Sequence, residues 1–159
     1  MRPLIVTYAW LLTRLPEAFA RLNAALLGQV LWLLRGKVIR RNLTKAFPDK
    51  DAAWVLRIGR VSCRRTAEMG LFSIASPLMP ETEIRDRIVV DESMLGSEHG
   101  IPPKGTGAVL FVPHFALMEM MTAAPLLSPG LAKREWVAVY RPLDQPAAES
   151  WVKEARERF

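Results

Sequence analysis

The chain has few of the residues that staple or metallate small domains. It holds one cysteine, Cys63, in 159 residues, which excludes an intrachain disulfide framework and a cysteine-based zinc site. Its two histidines, His99 and His114, stand fifteen positions apart with no flanking ligand pattern, so no metal site is read. Long apolar runs are missing too. Leu4–Thr13 and Leu22–Leu34 are the two apolar stretches of the N-terminus, and neither reaches the roughly 18–20 residues of a spanning helix. A secretory signal peptide is not expected, because only Arg2 precedes the first run and no small-x-small cleavage site follows it. Acidic residues are scarce in the first half: residues 1–80 carry four, against 13 Lys+Arg.

What is present bounds the class. Half of the residues are hydrophobic, which excludes disorder, and 24% are charged, which excludes a multi-spanning membrane protein. The net charge of +6 divides into +9 over residues 1–80 and −3 over residues 81–159. The stretch from Arg35 to Arg65 alone holds ten basic residues, with Asp49 and Asp51 as its acids. Such a surface fits an anionic partner: anionic lipid, an acidic protein or nucleic acid. The nucleic-acid reading rests on charge alone, with no recognition motif or aromatic-basic platform, so no nucleic-acid partner is expected.

Along the chain, the first run breaks at Arg14, Pro16 and Glu17, and the second is bounded by Arg21 and Arg35. Both read as helices lying in or on a membrane interface, with Trp10 and Trp32 at headgroup level. Burial in a soluble core is the alternative. From Arg35 to Phe47, Val38, Ile39, Leu43, Ala46 and Phe47 share a helical face and leave the basic residues on the other. Pro48 ends that helix, Asp49 or Asp51 can cap the next, and the next runs to about Ser76-Pro77.

The second half reads differently. Arg87–Val90 is a short β-branched run, Ala108–Val112 and Trp136–Tyr140 are continuous apolar runs, and Phe115–Leu127 has helical length. Strand, helix and strand at this spacing predict a βαβ unit. A polar helix from Asp144 to Phe159 follows. The fold class expected is α/β, with a helical, basic layer in front.

In an open α/β sheet, ligands bind beyond the carboxyl ends of the strands. His114 follows the first core strand and Arg141 the second, 27 positions later, so neighbouring strands would bring both to one crevice. Glu119 lies five residues after His114. Were both helical, they would face about 140° apart; with His114 in a turn, a carboxylate at 119 can face back and accept its second N–H. A histidine so held is a general base for a hydroxyl or an amine. Taken alone, the H-x4-E spacing favours a hydrogen-bonded histidine at a strand end over a catalytic base.

Several stretches occur together and in order: Arg40-Arg-Asn-Leu43 with Ala46-Phe-Pro48, Gly107-Ala-Val-Leu-Phe-Val-Pro-His-Phe115 with Glu119, and Val139-Tyr-Arg-Pro142. On these the chain resembles the lysophospholipid acyltransferase superfamily and, more closely, the lauroyl/myristoyl lipid A biosynthesis acyltransferases, from about Leu15 to Phe159. The resemblance implies a protein at the cytoplasmic face of the bacterial inner membrane. It implies transfer of an acyl chain from acyl carrier protein or acyl-CoA to a glycolipid hydroxyl, with no cofactor. His114 matches the catalytic base, Glu119 its partner carboxylate and Arg141 a phosphate-binding arginine. Residues 1–34 would be membrane-associating helices and residues 35–159 the N-terminal portion of the acyltransferase domain, with an incomplete sheet. The basic stretch 35–65 would face the acidic carrier protein or anionic headgroups. One departure is in the box itself: the lipid A branch reads H-F-G-N-W-E, and here Ala116, Leu117 and Met118 replace Gly, Asn and Trp. The replacement removes a conformationally permissive residue and a hydrogen-bonding group beside the base. It supports a second reading, a truncated, non-catalytic membrane-binding remnant or accessory protein of the same family.

Overall fold

A computed structural model describes residues 2–94, 100, 103, 105–109, 118–132, 134–137 and 139–158. Its elements are the helices α1 (Arg2–Arg14), α2 (Glu17–Ala46), α3 (Ala52–Ala75), α4 (Glu81–Arg87), α5 (Ala124–Leu127) and α6 (Pro146–Arg156). Short 3₁₀ turns at Ser76–Leu78, Glu92–Met94 and Met118–Ala123 complete them.

The N-terminal half is a helical hairpin with a third helix laid across it. Pro16, which disfavours helical backbone at Leu15, separates α1 from α2. The helix α2 then runs unbroken for 30 residues, about 45 Å, through the expected boundary at Arg35. Gly36 does not interrupt it, because one glycine costs a helix only about 1 kcal/mol; a Cβ there would lie 3.2 Å from the Trp32 indole one turn earlier. Pro48 stops the helix. Asp51 caps α3 by accepting from the Trp54 N–H at 2.6 Å, and the Phe47 and Trp54 rings pack at 5.2 Å across the turn.

Small residues build the α2–α3 seam. On α3 the buried positions are Val55, Gly59, Cys63, Ala67, Leu71 and Ala75, one every four residues. On α2 they are Ala24, Gly28 and Gly36, four and then eight residues apart, with Trp32 at the position between. A Cβ on Gly28 would lie 2.7 Å from the Arg64 Cα, and one on Gly59 would lie 2.7 Å from the Trp32 ring. The two backbones therefore approach closely, and Gly28–Trp32 of α2 lies alongside Gly59–Arg64 of α3. At one end of the seam α1 closes the packing: Tyr8, Leu12 and Leu31 surround Ala24, Ala67 and Leu71. Leu12 also touches the second core cluster, Ala75, Met79, Ile84, Met120 and Ala123.

That second cluster fastens the C-terminal half to the end of α3. The helix α6 completes the attachment. Trp151 is 3% exposed and its indole N–H donates to the Ile74 carbonyl at 3.0 Å. Arg158 donates to the Ser76 and Pro77 carbonyls at 2.9 and 3.1 Å, satisfying oxygens left open where α3 ends.

The expected α/β architecture is not found. Among the described residues there is no strand and no sheet, and the βαβ unit read from Ala108–Val112, Phe115–Leu127 and Trp136–Tyr140 is not seen; residues 110–117 and 138 of it lie outside the described residues. β-Branched, apolar composition marks a segment able to enter a sheet, but only a paired neighbour makes it a strand. Val89, Val109, Val137 and Val139 instead lie in irregular backbone, 82–97% exposed. The helix expected over Phe115–Leu127 is, where described, a 3₁₀ turn followed by one α turn. Pro125 lacks the N–H that a continuous i→i−4 ladder requires there. The polar helix expected from Asp144 is present as α6, capped by the Gln145 side chain accepting from the Ala147 and Ala148 N–H groups.

Candidate functional site

His114 lies outside the described residues, as do Phe115, Ala116 and Leu117. Glu119 sits in the 3₁₀ turn Met118–Ala123. That turn is anchored by Met120 and Ala123, buried against Ala75, Met79 and Ile84 at the end of α3. Its continuation is pinned as well: the Glu92 carboxylate accepts from the Ser128 hydroxyl and, at 3.5 Å, from the Gly130 N–H. The segment that follows the H-x4-E box is thus held from two sides.

Arg141 is placed by the start of α6. Glu149 accepts from the Leu143 N–H at 2.7 Å and from the Tyr140 hydroxyl at 2.8 Å, and the Arg156 guanidinium lies 4.0 Å from the Tyr140 ring centroid. These bonds, the Leu143 N–H first, hold the Glu149 carboxyl below the usual carboxylate range, and the bond to Glu149 raises the Tyr140 phenol. Between these anchors Arg141 is almost fully exposed and pairs with Asp144 at 3.4 Å. The helix α6 packs on the 118–123 turn, and Arg141 lies in the loop that leads into α6. The structure does not bury Arg141 in a crevice between strands.

A second surface, only partly legible from the sequence, lies on the hairpin. Since small residues fill the α2–α3 seam, the large aliphatic residues of α2 point outward. Leu22, Leu26, Leu27, Val30, Leu33 and Leu34 are all exposed, Leu33 and Leu34 by 74% and 73%. Among the described residues α2 is the one helix long and apolar enough to cross a membrane, and 17% of its apolar window is buried. A core helix of a soluble protein would bury most of it. The ten basic residues between Arg35 and Arg65 are all exposed, around the α2–α3 turn and along α3 as far as Arg64 and Arg65, beside Gly28. Arg64 and Arg65 are compensated by Glu68. Burial alone would raise that carboxyl, but the two guanidinium groups outweigh burial and hold it low.

Arg40 and Arg60 approach the Trp32 ring at 6.0 and 5.8 Å, and Lys50 lies 6.0 Å from the Trp54 ring. Between them is a shallow cleft of about 270 Å³ lined by Arg40, Thr44, Lys50, Ala52, Val55 and Leu56. Two cations and a hydroxyl stand over an apolar floor. Arg40 belongs to the R-R-N-L stretch and Thr44 follows it directly; the sequence marks that stretch as a motif without giving it a shape.

The family model described as "Bacterial lipid A biosynthesis acyltransferase" matches residues 3–159. No curated protein and no solved structure matches the chain at a significant level.

Proposed function

The chain belongs to the bacterial lipid A biosynthesis acyltransferase family, and on that premise we propose that it moves an acyl chain from acyl carrier protein, or acyl-CoA, to a hydroxyl of a lipid A precursor or related glycolipid. The observation that carries this is the family match, which runs through both His114–Glu119 and Val139–Pro142. In the proposed step His114 takes the proton of the acceptor hydroxyl as its oxygen attacks the thioester carbonyl. The C–O bond forms, the tetrahedral intermediate collapses, the C–S bond breaks and the thiol leaves with the proton that the imidazolium returns. Glu119 orients His114 and stabilises its protonated form. Arg141 binds acceptor phosphate; its exposure and its weak, solvent-screened pair with Asp144 leave it able to exchange partners.

The test is transfer from labelled acyl carrier protein to a lipid A precursor by the full chain in membranes. His114→Ala is expected to lower the rate at least ~100-fold, the range of general-base catalysis. Arg141→Ala should act on KM more than on kcat. Equal rates for wild type and His114→Ala would remove His114 from the mechanism. Ala116, Leu117 and Met118 in the box support the second reading, a non-catalytic membrane-binding member of the family. Membrane binding with no transfer by the wild type would favour it.

The hairpin supports a membrane-facing role for the N-terminal half; the cytoplasmic face of the inner membrane is proposed from family membership alone. The hairpin also argues for the plane of the interface rather than a crossing. If α2 spanned the bilayer, the seam would carry Arg57, Arg60, Arg64 and Arg65 into the hydrocarbon beside Gly28–Trp32. Each arginine costs about 2.5–3.5 kcal/mol there, whereas each exposed Leu or Val of α2 gains only about 0.3–0.6 kcal/mol. Six such gains fall well short of four such costs. Lying in the interface, the same hairpin buries its apolar face and leaves the guanidinium groups among headgroups.

A further inference from the structure

We infer that the cleft between the ends of α2 and α3 is a binding site for the phosphate of an anionic phospholipid headgroup, with Arg40, Thr44 and Lys50 as its ligands. The inference rests on the membrane-facing reading above and goes beyond it, because it assigns one built site within a diffuse basic surface.

Four observations carry it. First, the donors suit a phosphate: a guanidinium, a hydroxyl and an ammonium line one cavity. Second, among the described residues no carboxylate forms an ion pair with Arg40 or Lys50, whereas Arg21, Arg64, Arg65, Arg87 and Lys153 each have one. Of the two acids that flank Lys50 in the turn, Asp49 and Asp51, Asp51 is already committed to the Trp54 N–H. Third, Arg40 is preorganised. Its Nε donates to the Gly36 carbonyl at 3.4 Å and its guanidinium lies near the Trp32 ring, which limits the freedom lost on binding. Fourth, the cleft belongs to the face that meets lipid. Counting 100° per residue, Leu22, Leu26, Leu33, Arg40 and Thr44 fall within about 40° of one another on α2. Along one side, then, the helix changes from aliphatic to phosphate-binding. The floor of Ala52, Val55 and Leu56 suits the glycerol and first methylenes of a lipid better than a hydrated free anion.

The experiment is vesicle binding by the full chain, with circular dichroism to show that each variant keeps its helices. Phosphatidylcholine vesicles are compared with vesicles holding about a third phosphatidylglycerol, where each surface cation contributes roughly fivefold. Arg40→Ala/Lys50→Ala is set against Lys45→Ala/Arg57→Ala, which removes the same charge outside the cleft. The cleft pair is expected to lose about ten times more of the phosphatidylglycerol preference than the control pair. Arg40→Lys, which keeps the charge and loses the guanidinium fork, is expected to lose at least about fivefold.

Equal losses from both pairs, with Arg40→Lys unchanged, would reduce the cleft to part of a diffuse field and overturn the site while vesicle binding persists. A wild type that binds no vesicle of either composition would overturn the membrane-facing reading as well. Tight, cleft-dependent binding of inorganic phosphate without vesicles would assign the site to a soluble anion instead. Cleft-dependent binding of an acidic acyl carrier protein, with vesicle binding intact in the cleft pair, would assign it to a protein. Either result overturns the lipid assignment.

Discussion

The two halves of the chain place their apolar residues in opposite ways. The hairpin fills its seam mainly with glycine, alanine and cysteine, beside Val55 and Leu71, and turns most leucines and Val30 of α2 outward. The C-terminal half buries larger side chains: Met79, Ile84, Met120 and Trp151 against the end of α3, and Leu131. The first pattern is the one helices use where the hydrophobic effect does not drive them together, since small residues allow close backbone contact and lipid takes the rest. The second is ordinary packing of a soluble core. Each half therefore meets its surroundings differently: the hairpin is complete as a helix pair but not as a water-facing surface. The C-terminal half has the reverse character, with its helices docked and its β-branched segments, such as Val137 and Val139, exposed and outside any sheet among the described residues.

The largest expected effect comes from cutting the attachment between the halves. Trp151→Ala removes an almost fully buried indole and its bond to Ile74, a loss of about 3–5 kcal/mol. If the halves are separable, hydrogen exchange should show α6 amides speeding up by roughly 100-fold or more while those of α2 and α3 near Gly28 and Gly59 hold their protection. Equal acceleration throughout would make the molecule one cooperative unit and dissolve the comparison.

Next in size is the seam. Alanine at Gly28 gains about 1 kcal/mol of helix propensity, yet its Cβ would meet the Arg64 backbone at 2.7 Å, a contact no side-chain rotation relieves. Gly28→Ala should therefore lower the thermal midpoint of the helical signal, by an amount equivalent to about 1–3 kcal/mol. Gly70, on the same hairpin, has nothing within 4 Å of the point where a methyl group would stand, so Gly70→Ala should raise the midpoint instead. Two shifts of the same sign would show that the seam is not tightly packed.

Much of the first half is legible from local chemistry. Pro16 and Pro48 as breaks, Asp51 as a cap and a helix ending near Ser76 follow from it, and the structure agrees. The continuity of α2 is less legible, because a cluster of charges at Arg35–Arg41 resembles a boundary although Arg and Lys are good helix formers. The spacing of Ala24, Gly28 and Gly36, four and then eight residues, against Gly59, Cys63 and Ala67 is a signal present in the sequence. The large apolar residues mask it, because apolar periodicity ordinarily marks the buried face and here they face outward. The expected sheet fails for a different reason. A helix satisfies its backbone within itself, whereas a strand depends on distant partners, so β-branched runs such as Trp136–Tyr140 announce only a capacity. Of the site, Glu119 lies in a turn packed on α6 and Arg141 in the exposed loop before that helix, while His114 lies outside the described residues. The cleft depends on Arg40 and Lys50 meeting across the turn, a tertiary fact no spacing rule supplies.

The smallest effect distinguishes how the Arg141 loop is held. Glu149 accepts from the Leu143 N–H and the Tyr140 hydroxyl, and both bonds favour its charged form, so its folded pKa lies below its unfolded value. By linkage, the stability it contributes is fully present above the unfolded pKa, about 4.3 for a glutamate, and is lost as pH falls through the folded value. Because the carboxylate is at the surface, this is a local effect on residues 140–145 and not an acid unfolding of the chain. The Leu143 amide resonance should titrate with a midpoint below that of a free glutamate, and Glu149→Gln should abolish the titration. A midpoint at or above the free value would mean that the loop is not held by Glu149. The packing of Arg156 on Tyr140 would then be what fixes Arg141 against the start of α6.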